Sequence, residues 1–375
     1  MAFTISGVSG ITGLNLTTTQ PPPPVYMWTW GYNAEGQLGL GNTTYYSSPV
    51  QIGALTTWSS ISAGASGGRA IKTDGTMWAW GANGSGQLGQ GNTTNRSSPV
   101  QIGALTTWSK VSSGGYFHSA AIKTNGTIWT WGSNYLAQLG LGDTTARSSP
   151  VQVGALTNWS SLAAGKASVT AIKTDGTMWS WGWNGYGVLG INAGAVSYSS
   201  PVQIGALTTW SSVSMGSYVC AAIKTDGTMW IWGNNNDGKL AQGDINTHRS
   251  SPVQVGALTT WASVSTGEKQ CAAIKTDGTL WSWGLNQSGN LGLGNTINRS
   301  SPVQVGALTN WLSIAAGGYG CAAIKTDGTI WSWGYGVFGQ LGDNSTTSKS
   351  SPVQIGTLTT WSSVSSGSYH SMAIG

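Results

Sequence analysis

Tryptophan recurs along this chain at a nearly fixed interval. Trp-x-Trp-Gly begins at Trp28, Trp78, Trp129, Trp179, Trp230, Trp281 and Trp331, with successive spacings of 50 or 51 residues. Each copy is followed by Ser-Ser-Pro, ending at Pro49, Pro99, Pro150, Pro201, Pro252, Pro302 and Pro352. Nine residues past every Pro stands a third Trp: Trp58, Trp108, Trp159, Trp210, Trp261, Trp311 and Trp361. A period of this length marks an array of supersecondary units, each unable to bury its apolar face alone. Inside the repeat the alternation has the period of a strand. Ala-Ala-Ile-Lys-Thr-Asp-Gly-Thr-Met-Trp-Ser-Trp-Gly predicts two strands joined at Asp-Gly, a two-residue turn with positive φ at both positions. In Trp-Ser-Trp the two indoles share one face. Trp-Ser-Ser-Val-Ser adds a third strand and Pro-Val-Gln-Ile-Gly a fourth.

A lone four-stranded sheet would leave its Trp face in water, although a buried Trp is worth at most roughly 6 kcal/mol over about 250 Å². Packing such sheets face to face around an axis buries both faces and leaves only short edges. The ends of the chain specify how the ring closes. The last repeat stops at Ser371-Met372-Ala373-Ile374-Gly375, where the others continue into Lys-Thr-Asp-Gly-Thr-x-Trp-x-Trp-Gly. The missing strand stands at the other end as Tyr26-Met27-Trp28-Thr29-Trp30-Gly31. It is expected to pair antiparallel with residues 371–374, since an open edge is an aggregation hazard. The predicted fold is all-β: one closed seven-bladed β-propeller over residues 25–375, its last blade completed by the N-terminal strand. Residues 1–24 are expected to form a separate tail, ending in a polyproline II spacer at Pro21–Pro24.

Composition changes this picture little. The 375 residues include 57 Gly and 22 Trp, with 7% charged residues and a net charge of +5. Lys72, Lys123, Lys173, Lys224, Lys275 and Lys325 share one Ile-Lys-Thr setting, five of them with Asp two residues on, and are expected to be solvated turn lysines. This even spread argues against nucleic acid, which calls for clustered basic residues among stacking aromatics. Cys220, Cys271 and Cys321 occupy one repeat position filled elsewhere by Gly68, Ser119, Val169 and Ser371, which reads as a small buried site. There is no apolar run of transmembrane length and no basic, apolar secretory start, so neither membrane insertion nor Sec export is expected.

The phrase Trp-Gly-x-Asn-x-x-Gly-Gln-Leu-Gly, carried intact from Trp30 and from Trp80, with a downstream Ala-Ile-Lys-Thr-Asp-Gly, resembles the repeat of the regulator of chromosome condensation family. The resemblance covers residues 26–375. Departures are Ala137 for a Gly, Lys239 and Ala241 in one repeat, and Gly336 for the Asn. The wording also resembles predicted repeats of bacterial and phage proteins. What the resemblance implies is the propeller and a choice of roles, among them nucleotide exchange on a small GTPase, ultraviolet-B perception and enzyme inhibition. The repeats are too uniform in length to hold an exchange wedge, the acidic residues number eleven, and the photoreceptor's Gly-Trp-Arg-His-Thr is missing.

No phosphate loop, metal-ligand spacing or nucleophile elbow is present, so no catalytic residue, metal or cofactor is expected. His118, His248 and His370 lie in different repeats, and the aspartates belong mostly to the turns. Positions that differ between repeats are free to serve a partner, and two sets stand out. One is a rim of Tyr46, Arg96, Arg147, Tyr198, Arg249, Arg299 and Lys349, directly before Ser-Ser-Pro, suited to an acidic surface or a glycan. The other is a loop surface after the inner strand's Gly, with Tyr116, Phe117, His118, Tyr218, Lys269, Tyr319, Tyr369 and His370 as candidates and Arg69, Lys166 and Glu268 beside them. The expected function is a non-enzymatic binding or structural propeller, displayed on a virion or cell exterior with its tail docked to a larger assembly. The alternative is a soluble protein-binding regulator or inhibitor, which would leave a cytoplasmic location open.

Overall fold

The computed structural model describes residues 25–115 and 117–375; the proposed tail and Tyr116 lie outside them. The described residues form seven four-stranded antiparallel sheets. Blade 1 runs from the axis outward as Trp58–Ala63, Gly67–Lys72, Met77–Gly81 and Arg96–Gln101. Blades 2 to 6 repeat this order over residues 108–152, 159–203, 210–254, 261–304 and 311–354. The first strands line the central opening through Ala63, Ser113, Ala164, Met215, Thr266, Ala316 and Ser366.

Blade 7 is built from both ends of the described chain, in the order Ser363–Ser366, His370–Ile374, Met27–Gly31 and Tyr46–Gln51. Its register is Met27 opposite Ile374 through Gly31 opposite His370, and the Tyr26 and Gly375 backbones exchange two hydrogen bonds of 2.9 and 3.0 Å. The strand expected from Trp28-Thr29-Trp30-Gly31 is therefore where the missing strand was expected.

The tryptophans explain why one blade needs the next. Trp30, Trp80, Trp131, Trp181, Trp232, Trp283 and Trp333 are fully buried, the largest side chains of the core. Each indole N–H crosses to a backbone carbonyl of the neighbouring blade, as in Trp80 to Gln37 at 2.9 Å and Trp30 to Gln340 at 3.0 Å. In six of the seven the ring lies over the Gly of that neighbour's Leu-Gly pair, where a Cβ on Gly39 would meet Trp80 Nε1 at 2.9 Å; next to Trp283 the pair is Leu240-Ala241. Trp78 and Trp80 do share one face, packed with Trp58 against Met27, Met372 and Ile374 of blade 7. Met77 and Ala79 point the other way, into blade 2.

Two local expectations need correction. In the Asp-Gly hairpin only the Gly has positive φ (Gly75, +77°), and the turn is Lys72-Thr73-Asp74-Gly75, closed by Gly75 N–H to Lys72 C=O at 2.9 Å. That is a type I turn followed by a left-handed Gly, the three-residue hairpin pattern. The turn lysines are not solvated either. Lys72, Lys123, Lys173 and Lys325 are at most 9% exposed. In all six turns the ammonium sits 3.5–4.0 Å from the centroid of the blade's first Trp-x-Trp ring. The aliphatic stem is buried and the charge rests on an indole face. The cysteine reading holds: all three are buried and unpaired, and burial pushes the Cys271 and Cys321 thiols up to about 12.

Candidate functional site

Strand direction puts the Lys-Thr-Asp-Gly hairpins on one face of the ring and two sets of variable loops on the other. The first set follows the inner strands. The second begins at each Trp-Gly, and the sets are joined by backbone bonds such as Tyr32 N–H to Tyr369 C=O at 2.9 Å and Tyr335 N–H to Tyr319 C=O at 3.0 Å. An Asn shapes most loops of the second set: Asn33 Oδ1 accepts from Leu38 N–H at 2.9 Å while its Nδ2 donates to the Asn42 and Thr44 carbonyls. The loops are thus held rigidly, and the residues between the fixed positions are presented to solvent.

Of the loop candidates, Tyr319 and Tyr369 meet across blades 6 and 7, stacked at 5.4 Å with 14° between the rings. Around them stand four aromatics that the sequence reading missed: Tyr32, Tyr45, Tyr335 and Phe338, with centroids 4.7–6.3 Å apart in successive pairs. Tyr45 is 44% exposed. Burial, chiefly, and the Tyr319 hydroxyl push the Tyr369 phenol well above its ordinary range. A second cluster joins Tyr218 to Trp183, Tyr186 and His248. Trp183, the one Trp outside the repeat pattern, therefore belongs to the surface. Between the clusters Lys166 lies over the Tyr218 ring at 4.9 Å and 3.9 Å from Glu268. Phe117 is exposed, in a left-handed conformation (φ 54°), and Lys269 is half-buried.

His118 and His370 do not belong to this surface. Each opens a second strand and is buried at 0% and 1% exposure, over the Gly that ends the preceding inner strand. These strands are buried at every residue, so a side chain at that position does not reach the loop surface. Burial, with help from the Arg69 guanidinium, pushes His370 down to about 4. Arg69 is itself buried, donating to the Gln87 carbonyl at 2.8 Å.

The rim candidates all fall at one place, the first residue of the outer strand. They are not equivalent in charge. Arg147 pairs with Asp143 at 2.7 Å, Arg249 with Asp244 at 3.0 Å and Lys349 with Asp343 at 3.3 Å. Arg96 and Arg299 have no carboxylate partner among the described residues; Arg96 Nε donates to Gln90 Oε1 at 3.2 Å and Arg299 Nε has no acceptor. Tyr46 Oη accepts from Asn42 at 3.3 Å, and Tyr198 is half-buried. The expected ring of five cations is therefore two unneutralised arginines. No three His, Cys, Asp or Glu side chains converge as a metal site among the described residues.

A closed ring whose scaffold repeats while its loops diverge is a β-propeller that combines side chains of different blades on one face. Family comparison gives the class its name. The RCC1-like domain model matches residues 25–263, and the regulator of chromosome condensation (RCC1) repeat matches residues 277–324 and 327–374. The chain belongs to the RCC1-like domain family. It is 29% identical to the ultraviolet-B receptor UVR8 of Arabidopsis thaliana over 283 residues, 72% of this chain and 63% of the receptor. It is 30% identical to the human E3 ubiquitin-protein ligase HERC2 over 187 residues, 48% of this chain and 4% of the ligase. The chain thus spans less than two thirds of the length of these relatives. Human WBSCR16 superposes with a TM-score of 0.84 at 19% identity, covering 94% of this chain and 98% of that one. Prp20p of Saccharomyces cerevisiae gives 0.84 at 20%, covering 94% and 91%. At these identities the likeness is one of fold. These relatives are eukaryotic, and nothing among them points to the bacterial or phage type expected from the wording of the repeats.

Proposed function

We propose that this chain is a non-enzymatic, protein-binding propeller whose partner docks on the loop face over the aromatic patch of blades 6 and 7. The observation that carries this reading is the stacked Tyr319–Tyr369 pair ringed by Tyr32, Tyr45, Tyr335 and Phe338. Tyrosine-rich patches on rigid loops offer large contact area with little side-chain entropy to lose. Two structures of one relative support a protein as the occupant: Prp20p is described by its binding to Gsp1p and histones, and the same protein, yeast RCC1 (Prp20), was solved with Kap60 bound to it. The ligase activity in the name of HERC2 does not come with a match to 4% of that protein. The regulator reading therefore replaces display on a virion, which no relative favours. Affinity chromatography on the immobilised chain, followed by a dissociation constant for the recovered protein, tests it. Tyr319→Ser with Tyr369→Ser should weaken binding about 100-fold, as two hot-spot truncations do. An unchanged constant would remove the patch from the interface.

A further inference from the structure

Adjacent blades leave grooves along the outer rim, away from the loop face patch. Three are well formed: about 470 Å³ between blades 1 and 2, 440 Å³ between blades 5 and 6, and 360 Å³ between blades 2 and 3. Their floors are alike. A half-buried indole (Trp129, Trp331 or Trp179) lies beside the exposed Leu of the Gly-Ala-Leu turn and the Pro of the next outer strand. Their mouths are not alike. Arg96 lines the first groove and Arg299, with Lys325, the second, whereas the third has no charged lining residue because Arg147 is turned back onto Asp143 at 2.7 Å.

One residue decides this difference. Asp143 holds Arg147, and the equivalent Asp244 holds Arg249; Lys349 is held by Asp343, which stands two residues earlier in its own loop. The loop position of Asp143 carries Asn92 before Arg96 and Asn295 before Arg299. Asn and Asp do the same structural work there: Asn83 Nδ2 donates to the Asn92 side chain at 3.3 Å, and Asn134 Nδ2 to the Asp143 side chain at 3.0 Å. The loop therefore needs an acceptor at this position and tolerates either residue, and the choice of Asn leaves the cation to the groove.

We propose that the Arg96 and Arg299 grooves are binding sites for an acidic sugar, a pyranose bearing a carboxylate. Lys123 and Lys325 cover one face of Trp129 and Trp331 at 3.5 and 3.6 Å; the C–H face of the pyranose ring lies on the opposite face, and its carboxylate takes the two parallel N–H bonds of the guanidinium. Gln101 and Ser149 in one groove, and Gln304 and Ser351 in the other, supply polar atoms for ring hydroxyls. An apolar floor with a few convergent polar groups and a cation at the mouth is the usual make-up of a small-ligand site. An acidic peptide would use the guanidinium and leave the aromatic floor and the amides idle.

Isothermal titration of the full chain with trigalacturonate, against its neutral methyl ester, reads both affinity and stoichiometry. Two sites per chain are expected, with the acid bound at least about tenfold more tightly than the ester, one charge-assisted contact being worth that factor. Asn92→Asp with Asn295→Asp should abolish that preference while leaving the fold intact, since Asp143 already fills the position in blade 2. Arg96→Ser with Arg299→Ser should do the same. Asp143→Asn should release Arg147 and add a third site. Equal binding of acid and ester, an unchanged double variant, or no binding in the millimolar range would overturn the proposal. A hexaglutamate peptide binding as tightly as the trisaccharide would overturn the sugar and favour an acidic peptide. None of these results depends on Tyr319 or Tyr369, so failure here and failure of the protein-docking reading are separable.

Discussion

The two faces of the ring are built from the same strands and obey different rules. On the hairpin face six turns repeat one hydrogen-bond chain. The Asp or Asn Oδ1 accepts from the Thr hydroxyl at 2.6–2.8 Å, and that hydroxyl accepts from the indole N–H of the first Trp at 2.9–3.0 Å. On the loop face the equivalent places hold Tyr369, Phe117, Tyr218 or Lys269, and the clusters they form join different blades in different ways. The comparison teaches that repetition is confined to where closure demands it. Around the central opening, for example, a Cβ on Gly216 would meet the Gly267 carbonyl at 2.1 Å and one on Gly267 the Gly317 carbonyl at 2.3 Å. Scaffold positions should therefore be costly to change and loop-face positions cheap.

The largest expected effect tests this directly. Trp283 is fully buried and donates to the Lys239 carbonyl of the neighbouring blade at 2.8 Å. Trp283→Ala removes that link and opens a cavity, and should cost about 3–5 kcal/mol by urea denaturation. Tyr45→Ala, at an exposed aromatic of the loop face, should cost about 1 kcal/mol or less. If the two variants lose similar stability, the division between the faces is wrong.

His370 sharpens the comparison, because it stands beneath the loop face and belongs to the scaffold. Its folded value, pushed down to about 4 from 6.5 by burial and by Arg69, means that protons bind the unfolded chain first. Its contribution is therefore complete above pH 6.5 and is lost as pH falls toward 4, by up to roughly 3 kcal/mol. The urea midpoint should fall between pH 7 and pH 4.5, and His370→Gln should remove a large part of that fall. Identical pH profiles for the two proteins would show that the imidazole is not held neutral by burial.

Much of this division can be read in the sequence, and the part that cannot has physical causes. The closing strand was legible because Trp28-Thr29-Trp30-Gly31 lacks the Ala-Ile-Lys strand that precedes it in the other repeats, and residues 371–374 lack the Trp-x-Trp strand that follows. The small site of Cys220, Cys271 and Cys321 was legible because seven repeats sample it. The lysines were misread because Ile-Lys-Thr-Asp-Gly looks like any polar turn, and nothing local says that an indole face lies beneath Lys72. Tyr32, Tyr335 and Phe338 were missed because their neighbours come from adjacent blades, as with Tyr32 and Phe338, which are far apart in sequence and 5.2 Å apart in space. Comparing the residue after each Trp-Gly across the repeats, as was done after each inner-strand Gly, would have found Tyr32, Trp183 and Tyr335. The neutralised rim was partly readable at one loop position, which carries Asp143 and Asp244 but Asn42, Asn92 and Asn295; Asp343 stands two residues earlier in its loop, so the partner of Lys349 does not show in that alternation.

The smallest expected effect asks most of the comparison. Replacing the turn Thr by Val keeps shape and deletes one hydroxyl, leaving the first Trp-x-Trp indole without its acceptor. That indole is half-buried, so water compensates in part, and the cost should lie near 1 kcal/mol. If the hairpin face is scaffold throughout, Thr76→Val, Thr127→Val, Thr177→Val, Thr228→Val, Thr279→Val and Thr329→Val should all lose about that amount, because the six hydroxyls make the same bonds at nearly the same distances. Blade 2 is the sensitive member, since its turn carries Asn125 in place of Asp and so bonds the hydroxyl through a neutral acceptor. A loss at Thr127 equal to the other five would mean that the carboxylate charge adds nothing and the shape of the turn is what the blades share. Six scattered values would mean that this face, too, is differentiated from blade to blade.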